Sequence, residues 1–184
     1  RQRYRLRLAE GALIVEEGRF LPYGFQSFVP EATDLKPAYA PLPLPARAVQ
    51  VPPEVFSSRG DLDQALFAIL ASWIREGLSR PQDSEFALAV TYAHRAELLP
   101  GLSEQQRLEL RRLRGDLAYG EGQRLVSEVG KKMRQALDQF RAAVEMGSSH
   151  DTDARIWWRE LEQRLAAWDR PPQDSFPPDP GPLS

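Results

Sequence analysis

The stretch from Gly115 to Met146 has the clearest hydrophobic pattern in the chain. Apolar residues recur there at three- and four-residue steps, which is the spacing of one face of an α-helix. The stripe consists of Val126, Val129, Met133, Ala136, Leu137, Phe140, Ala143 and Val144. Gly120 and Gly122 stand just before it. We therefore expect two antiparallel helices that turn near these glycines, the second of which buries a full apolar face.

The N-terminal residues have the pattern of strands. Tyr4, Leu6 and Leu8 alternate with arginines, which is the period of two expected for a half-buried strand. A turn at residues 9–11 leads to a second apolar run at 12–15, and Gly18 marks a bulge or a turn. The pattern predicts a small β unit over residues 1–30. We expect its aromatic residues to dock onto the helices, or alternatively to form an exposed patch for a partner.

Residues 31–58 are rich in proline. Pro41, Pro43 and Pro45 alternate with leucines, which favours extended backbone and forbids a helix. This composition predicts a linker or semi-rigid strap that runs across the helical domain. The apolar residues expected to pack under it are Leu42, Leu44, Val49 and Val51.

Residues 59–170 contain the remaining helical patterns. Start signals occur at Ser58 or Asp61, at Asp83 or Ser84, at Ser103 with Gln106 in a capping box, and at Ser149 or Asp151. The predicted inward faces are Leu62, Ala65, Leu66, Ile69, Leu70 and Trp73; Phe86, Ala89, Val90, Ala93 and Ala96; Leu110, Leu113 and Leu117; and Trp157, Leu161, Leu165 and Trp168. About five or six helices with short connections predict a mainly α fold of stacked antiparallel pairs. Residues 171–184 form a proline-rich tail that we expect to be flexible.

Composition narrows the class of function. The chain has 184 residues, of which 42% are hydrophobic and 27% charged, as in a soluble folded protein. The net charge is −2, so no overall field attracts nucleic acid, and we expect none to bind. There is no cysteine, which excludes disulfides, thiolate nucleophiles and cysteine-based zinc sites.

The N-terminal sequence and the lack of long apolar runs bear on the cellular location of the protein. No apolar run reaches the roughly 18–20 residues of a membrane span. The chain begins with Arg1 rather than Met, so we interpret it as a fragment or a processed form. The arginine-rich opening from Arg1 to Arg7 fits an amphipathic edge strand, or alternatively the cytoplasmic flank of a transmembrane anchor. We predict a cytoplasmic location, either free or as part of a membrane-anchored protein.

Candidate catalytic and metal-binding groups are few. His150-Asp151-x-Asp153 resembles a metal cluster, but helix capping by Asp151 explains it more simply. His94 lies on a different predicted element. Gly120-x-Gly122 follows a helix rather than a strand, which is the wrong context for a dinucleotide loop. We predict no catalytic residues, no cofactor and no bound metal.

Small and aromatic residues recur along the helices. Ala136-x3-Phe140-x2-Ala143 matches Ala89-x3-Ala93-x2-Ala96, and Gly115, Tyr119 and Gly122 lie between the two sets. Residues 62–168 thus resemble a divergent tetratricopeptide repeat of about two and a half units. The resemblance implies stacked helix pairs that bind a protein segment on their surface. The last helix would then be a cap, or Trp158 a contact residue.

These patterns lead to two functional hypotheses. The first is a non-catalytic scaffold or adaptor that binds a protein partner, with Tyr92, Arg111, Arg114, Tyr119 and Trp158 as contacts. The alternative is the structural region of a membrane-anchored assembly protein that self-associates through apolar and aromatic surface. Arg107, Arg111 and Arg114 share a helix face, which is either a solvated surface or a site for an acidic peptide. The oligomeric state and the identity of the partner stay open.

Overall fold

The computed structural model describes residues 3–19, 24–47, 51, 54–79 and 83–170. The chain is mainly α-helical and has a small antiparallel sheet near its N-terminus, as predicted. Its contacts divide it into two compact units. Unit 1 comprises Arg1–Gly120, and unit 2 comprises Glu121–Ser184. The boundary therefore falls within the predicted helical domain rather than at residue 30 or 58.

A β-hairpin forms the centre of the sheet in unit 1. Strand β1 (Tyr4–Ala9) pairs with β2 (Ala12–Arg19) in the register that places Leu6 opposite Val15. The connecting residues, Glu10 and Gly11, have φ angles of 52° and 75°, as the tight hairpin turn that follows the right-handed strand twist requires. The predicted hairpin is confirmed. Gly18 lies within β2 and does not end it.

The two faces of β1 separate apolar from charged side chains, as its alternating pattern predicts. Tyr4 and Leu6 are buried in the core of unit 1. On the other face, the Nε atoms of Arg5 and Arg7 lie 2.6 and 2.9 Å from the carboxylate of Glu16. Glu16 is only 4% exposed, so the two arginines shield and neutralise it.

Three short strands complete the sheet, and the last two of them come from the proline-rich segment. Strand β3 (Gly24–Ser27) pairs with β2, β4 (Leu42–Pro43) also pairs with β2, and β5 (Val55–Phe56) pairs with β1. A 3₁₀ turn (Thr33–Leu35) and a short helix α1 (Lys36–Tyr39) lie between β3 and β4 in the sequence.

The structure does not support the predicted strap, because the extended backbone that proline imposes serves here as strand edges. Leu42 is buried and Leu44 partly buried, as expected, and both pack in the unit 1 core. Val51 is also partly buried there, whereas Val49 lies outside the described residues.

Helices α2 (Arg59–Ser79) and α3 (Asp83–Glu97) pack on this sheet. The amide of Asp61 donates to Ser58 Oγ at 3.1 Å, so Ser58 caps α2. The backbones of α2 and α3 approach closely at Gly77, where a β-carbon would lie 2.7 Å from Ala89 Cβ. The inward face of α3 is as predicted except for Val90, which is 47% exposed.

Helix α4 (Glu104–Glu145) is one continuous helix of 42 residues. It begins with the predicted capping box, in which Ser103 and Gln106 each accept a hydrogen bond from the other's amide, at 3.2 and 3.1 Å. Leu110, Leu113 and Leu117 are buried in the unit 1 core, as predicted.

The predicted turn at Gly120 and Gly122 is wrong. Each glycine costs about 1 kcal/mol relative to alanine within a helix, which packing readily offsets. At Gly120 the missing side chain makes room for the Phe86 ring, which would lie 2.9 Å from a β-carbon there. The helix instead ends at Glu145, two residues before Gly147, whose φ is 68°. The amides of Gly147 and Ser148 donate to the carbonyls of Val144 and Ala143, which closes the helix C-terminus in a Schellman motif.

Helix α5 (Asp151–Trp168) packs on the second half of α4 in unit 2. Its N-cap is His150, and no side chain caps it, so the predicted caps Ser149 and Asp151 are wrong. Asp151 instead pairs with Arg155 at 2.8 Å. The proline-rich tail, residues 171–184, lies outside the described residues.

Candidate functional site

The α4–α5 hairpin of unit 2 has a small core. Leu137, Leu161 and Leu165 are its buried members, and Met133, Ala136, Phe140 and Trp158 pack around them. Phe140 stacks on Trp157 with ring centroids 6.0 Å apart. The indole of Trp168 lies against Gly130, where a β-carbon would be 3.1 Å from Nε1.

Two ion pairs join the helices of this hairpin. Arg134 lies 2.6 Å from Asp169, and Arg141 lies 2.7 Å from Glu162. Both pairs are exposed to solvent, so they add little to the stability of the hairpin. They fix the register of the two helices more than they stabilise the hairpin.

The N-terminal end of the apolar stripe on α4 has no cover in unit 2. Leu125 is 53% exposed, Val126 54% and Val129 46%. The sequence pattern predicted that the whole stripe is buried, but its first two residues, Val126 and Val129, are exposed, five others are partly buried, and Leu137 alone among the eight is fully buried. Exposed apolar residues are ordinary when isolated, but here they are consecutive along one helix face.

These side chains line a groove of about 480 Å³. Leu125, Val129, Met133 and Ala136 of α4 form its floor, with Leu161 of α5 at one side. Two charged residues, Glu128 and Lys132, stand at its edge. Neither of them forms an ion pair with any residue that the structure describes. The groove is thus apolar with one acid and one base at its rim.

The residues predicted as partner contacts do not come together as one site. Tyr92 is only 1% exposed: its ring packs 5.0 Å from that of Trp73, and its hydroxyl donates to the Pro43 carbonyl at 2.9 Å. It is a core residue, and the prediction that it contacts a partner is wrong. Burial raises the pKa of Tyr92 to about 12, so its hydroxyl stays neutral at ordinary pH.

The remaining predicted contacts lie in both units. Arg111 lines a shallow depression on α4 in unit 1 together with Leu108. Arg114 pairs with Glu97 at 2.5 Å, and Tyr119 is 69% exposed. Trp158 belongs to unit 2, where its indole N–H donates to Glu162 at 2.7 Å.

The basic face does not continue onto a second helix. Arg107, Arg111 and Arg114 lie on the unit 1 part of α4, and Arg107 donates to the Pro100 carbonyl at 3.1 Å. Because α4 does not turn, Lys131, Lys132 and Arg134 lie on the same helix rather than on an antiparallel neighbour.

One carboxyl group in unit 1 has a perturbed environment. Asp63 is fully buried and accepts hydrogen bonds from the Tyr39 hydroxyl at 2.7 Å and the Gly101 amide at 2.9 Å. Burial raises the pKa of Asp63, and the two hydrogen bonds and the charge of Arg59 oppose that rise. Since both oxygens are satisfied inside the core, this group joins α1, α2 and the residues after α3 and has a structural role.

No protein-family model, curated protein sequence or solved structure matches this chain. The tetratricopeptide relationship therefore stays a prediction, and the turn that it placed at Gly122 is absent from α4. Within the described ranges, no helix is both long and apolar enough to cross a membrane. The same residues contain no group of three or more histidines and acidic residues arranged to hold a metal ion.

Sequence reasoning missed the groove because it assigned the same stripe to the core. Val129, Met133 and Ala136 belong to the predicted apolar face, and Leu125 extends it by one turn. Periodicity identifies such a face and its direction on the helix, but it does not reveal which part of the face an intramolecular neighbour covers.

Proposed function

We propose that this protein is a non-catalytic interaction module that binds a helical protein segment in the apolar groove of unit 2. The observation that carries the proposal is the exposed run of Leu125, Val126 and Val129 on the helix that also forms the hairpin core. The groove is an open apolar surface rather than a polar pocket. It therefore suits an amphipathic helix that contributes apolar residues at three- and four-residue steps.

The energetics favour a protein segment over a small polar ligand. Burial of apolar surface contributes roughly 25 cal/mol per Å², and covering three half-exposed aliphatic side chains accounts for a few kcal/mol before the partner's own residues are counted. A polar ligand would find only Glu128 and Lys132 as hydrogen-bonding groups at the groove. The apolar lining thus supports a scaffold or adaptor role, and the basic face with Arg111 would be a separate, weaker contact.

A photocrosslinking experiment tests this proposal. A photoreactive amino acid replaces Val129 in the full chain, and a second variant carries it in place of Leu108. Leu108 is a matched control because it is 48% exposed on the same helix but lies in unit 1. We expect position 129 to give adducts with a defined helical segment, of another protein or of this one, which position 108 does not give. Equal or absent labelling at the two positions would refute the groove as the docking site.

A further inference from the structure

We infer that the segment bound in the groove is α4 of a second copy of this chain, packed antiparallel about a twofold axis near Val129. This inference rests on the proposed function and names the occupant. It would make the assembly a bundle of four helices, two from each copy. Three features of the groove carry it: its position on α4, its pattern of side-chain sizes and its rim charges.

The groove occupies the face of α4 that a bundle leaves for a second neighbour. Successive helical residues are about 100° apart. The contact of α4 with α5 centres on the buried Leu137, whereas the groove floor centres on Val129, and Met133 and Ala136 lie between the two and border both. Leu137 and Val129 are eight residues apart, so they point in directions that differ by roughly 80°. A helix at a corner of a four-helix bundle meets its two neighbours on faces about 90° apart.

The floor of the groove is complementary to itself when the helices run in opposite directions. An axis at Val129 places Leu125 of one copy opposite Met133 of the other, and Gly122 opposite Ala136. Long side chains then meet long ones, and the smallest residues meet each other. Gly122 has no heavy atom within 4 Å of the position of a β-carbon, so this part of α4 has room for a close neighbour.

The charged residues at the groove edge also favour an antiparallel pair of helices. Glu128 and Lys132 are one helical turn apart on one edge of the groove, and neither has an ion-pair partner among the described residues. In an antiparallel twofold pair, Glu128 of each copy lies beside Lys132 of the other, so two ion pairs form. In a parallel twofold pair, the edge of one copy that carries Glu128 and Lys132 would lie on the opposite flank from that of the other copy, so neither ion pair would form. The charges therefore favour an antiparallel second copy.

Light-scattering mass and sedimentation of the full chain test this inference. We expect a dimer whose dissociation constant rises at least about tenfold in Val129→Glu, because a buried carboxylate replaces a methyl contact at the axis. Leu108→Glu should remain dimeric, and circular dichroism should show both variants folded. A wild-type monomer over the whole concentration range would overturn the inference. If crosslinking from position 129 to another protein persisted, the proposed function would stand while the second copy failed.

A charge exchange distinguishes this dimer from any other. Glu128→Lys and Lys132→Glu should each weaken self-association about tenfold, since each replaces two attractive pairs by two repulsive ones. An equimolar mixture of these two variants should form a heterodimer, and the variant that carries both changes should regain the wild-type affinity. A dimer that is indifferent to all three variants would overturn the assignment of the interface.

The absence of cysteine from the sequence gives a direct test of the axis. Val129→Cys should form a disulfide between two copies under mild oxidation, because position 129 lies opposite itself. Leu108→Cys is the matched control and should not. Equal crosslinking of both variants, or none at position 129, would contradict the proposed axis.

Discussion

The Tyr39 hydroxyl donates a hydrogen bond to Asp63 at 2.7 Å, and both side chains are shielded from water in the core of unit 1. The bond joins the short helix of the proline-rich segment to the first long helix. The Gly101 amide donates to the other carboxylate oxygen at 2.9 Å, so a third segment meets at the same group. If either donor is removed, one buried oxygen of Asp63 is left without a hydrogen bond, and this lowers the stability of the folded protein.

Removal of the Tyr39 hydroxyl should therefore lower the stability of unit 1. We expect Tyr39→Phe to decrease the free energy of unfolding by about 1–3 kcal/mol, because it leaves a buried oxygen of Asp63 without its donor. Urea unfolding followed by circular dichroism measures the loss. In a double-mutant cycle with Asp63→Asn, the two changes should be non-additive. Full additivity would show that the pair does not interact.

Stability should fall at alkaline pH. Burial raises the pKa of Tyr92 to about 12, and burial and the bond to Asp63 raise the pKa of Tyr39 as well. An unfolded tyrosine titrates near pH 10, so between about pH 10 and 12 the folded protein keeps a proton that the unfolded chain has lost. The free energy of unfolding therefore decreases as the pH rises through this window.

The Tyr92→Phe variant shows how much of this pH dependence comes from the Tyr92 hydroxyl. It loses the bond to the Pro43 carbonyl, so its stability is lower at every pH, but its alkaline slope should be shallower than that of the wild type. Urea unfolding at intervals from about pH 9 to 12, together with tyrosinate absorbance, measures the slope. An unchanged slope would mean that Tyr92 titrates alike in the folded and unfolded states.

Substitutions at two glycines of α4 should act in opposite directions. Gly122→Ala should stabilise the protein by about 0.5–1 kcal/mol, because the position is helical and a β-carbon there meets no heavy atom within 4 Å. Gly120→Ala should destabilise it, because the new carbon would press on the Phe86 ring 2.9 Å away. Thermal unfolding measures both. Destabilisation by Gly122→Ala, measured at a concentration where the chain is monomeric, would instead favour a turn at this position.

The close approach of α2 and α3 at Gly77 should tolerate no side chain. A β-carbon there would lie 2.7 Å from Ala89 Cβ and 2.9 Å from the Glu85 carbonyl oxygen, and neither atom belongs to a flexible chain end. We expect Gly77→Ala to cost about 1–3 kcal/mol by overpacking. Gly60→Ala is the control in the same helix, since its nearest atom lies at an ordinary 3.8 Å. Equal unfolding midpoints for the two variants would contradict this packing.

Local sequence signals were sufficient where the physics is local. The β1–β2 hairpin follows from alternating side chains and from a turn that needs positive φ at Glu10 and Gly11. The starts of α2 and α4 follow from Ser58 and Ser103, whose side chains satisfy free amides in the first helical turn. Such interactions involve residues that are close together in the sequence, and they depend little on the rest of the fold.

Glycine was ambiguous because its role depends on contacts that are distant in sequence. Gly120 and Gly147 both follow helical patterns, yet one lies inside α4 and the other ends it. The difference is that Phe86 packs against Gly120, whereas Gly147 adopts a left-handed conformation that closes the helix. Likewise, the proline pattern predicts an extended backbone but not which strand it pairs with. Only the tertiary structure shows that parts of this segment pair with β1 and β2.

The sequence by itself determined the mainly α class, the N-terminal hairpin, most helix starts and the apolar face of α4. The tertiary structure alone decided that α4 is continuous, that Tyr92 is core rather than surface, and that Leu125 and Val129 stay exposed. The physical reason is that periodicity and capping are set by neighbouring residues. Burial depends on which distant segment covers a face, and in unit 2 the described segments cover only part of it.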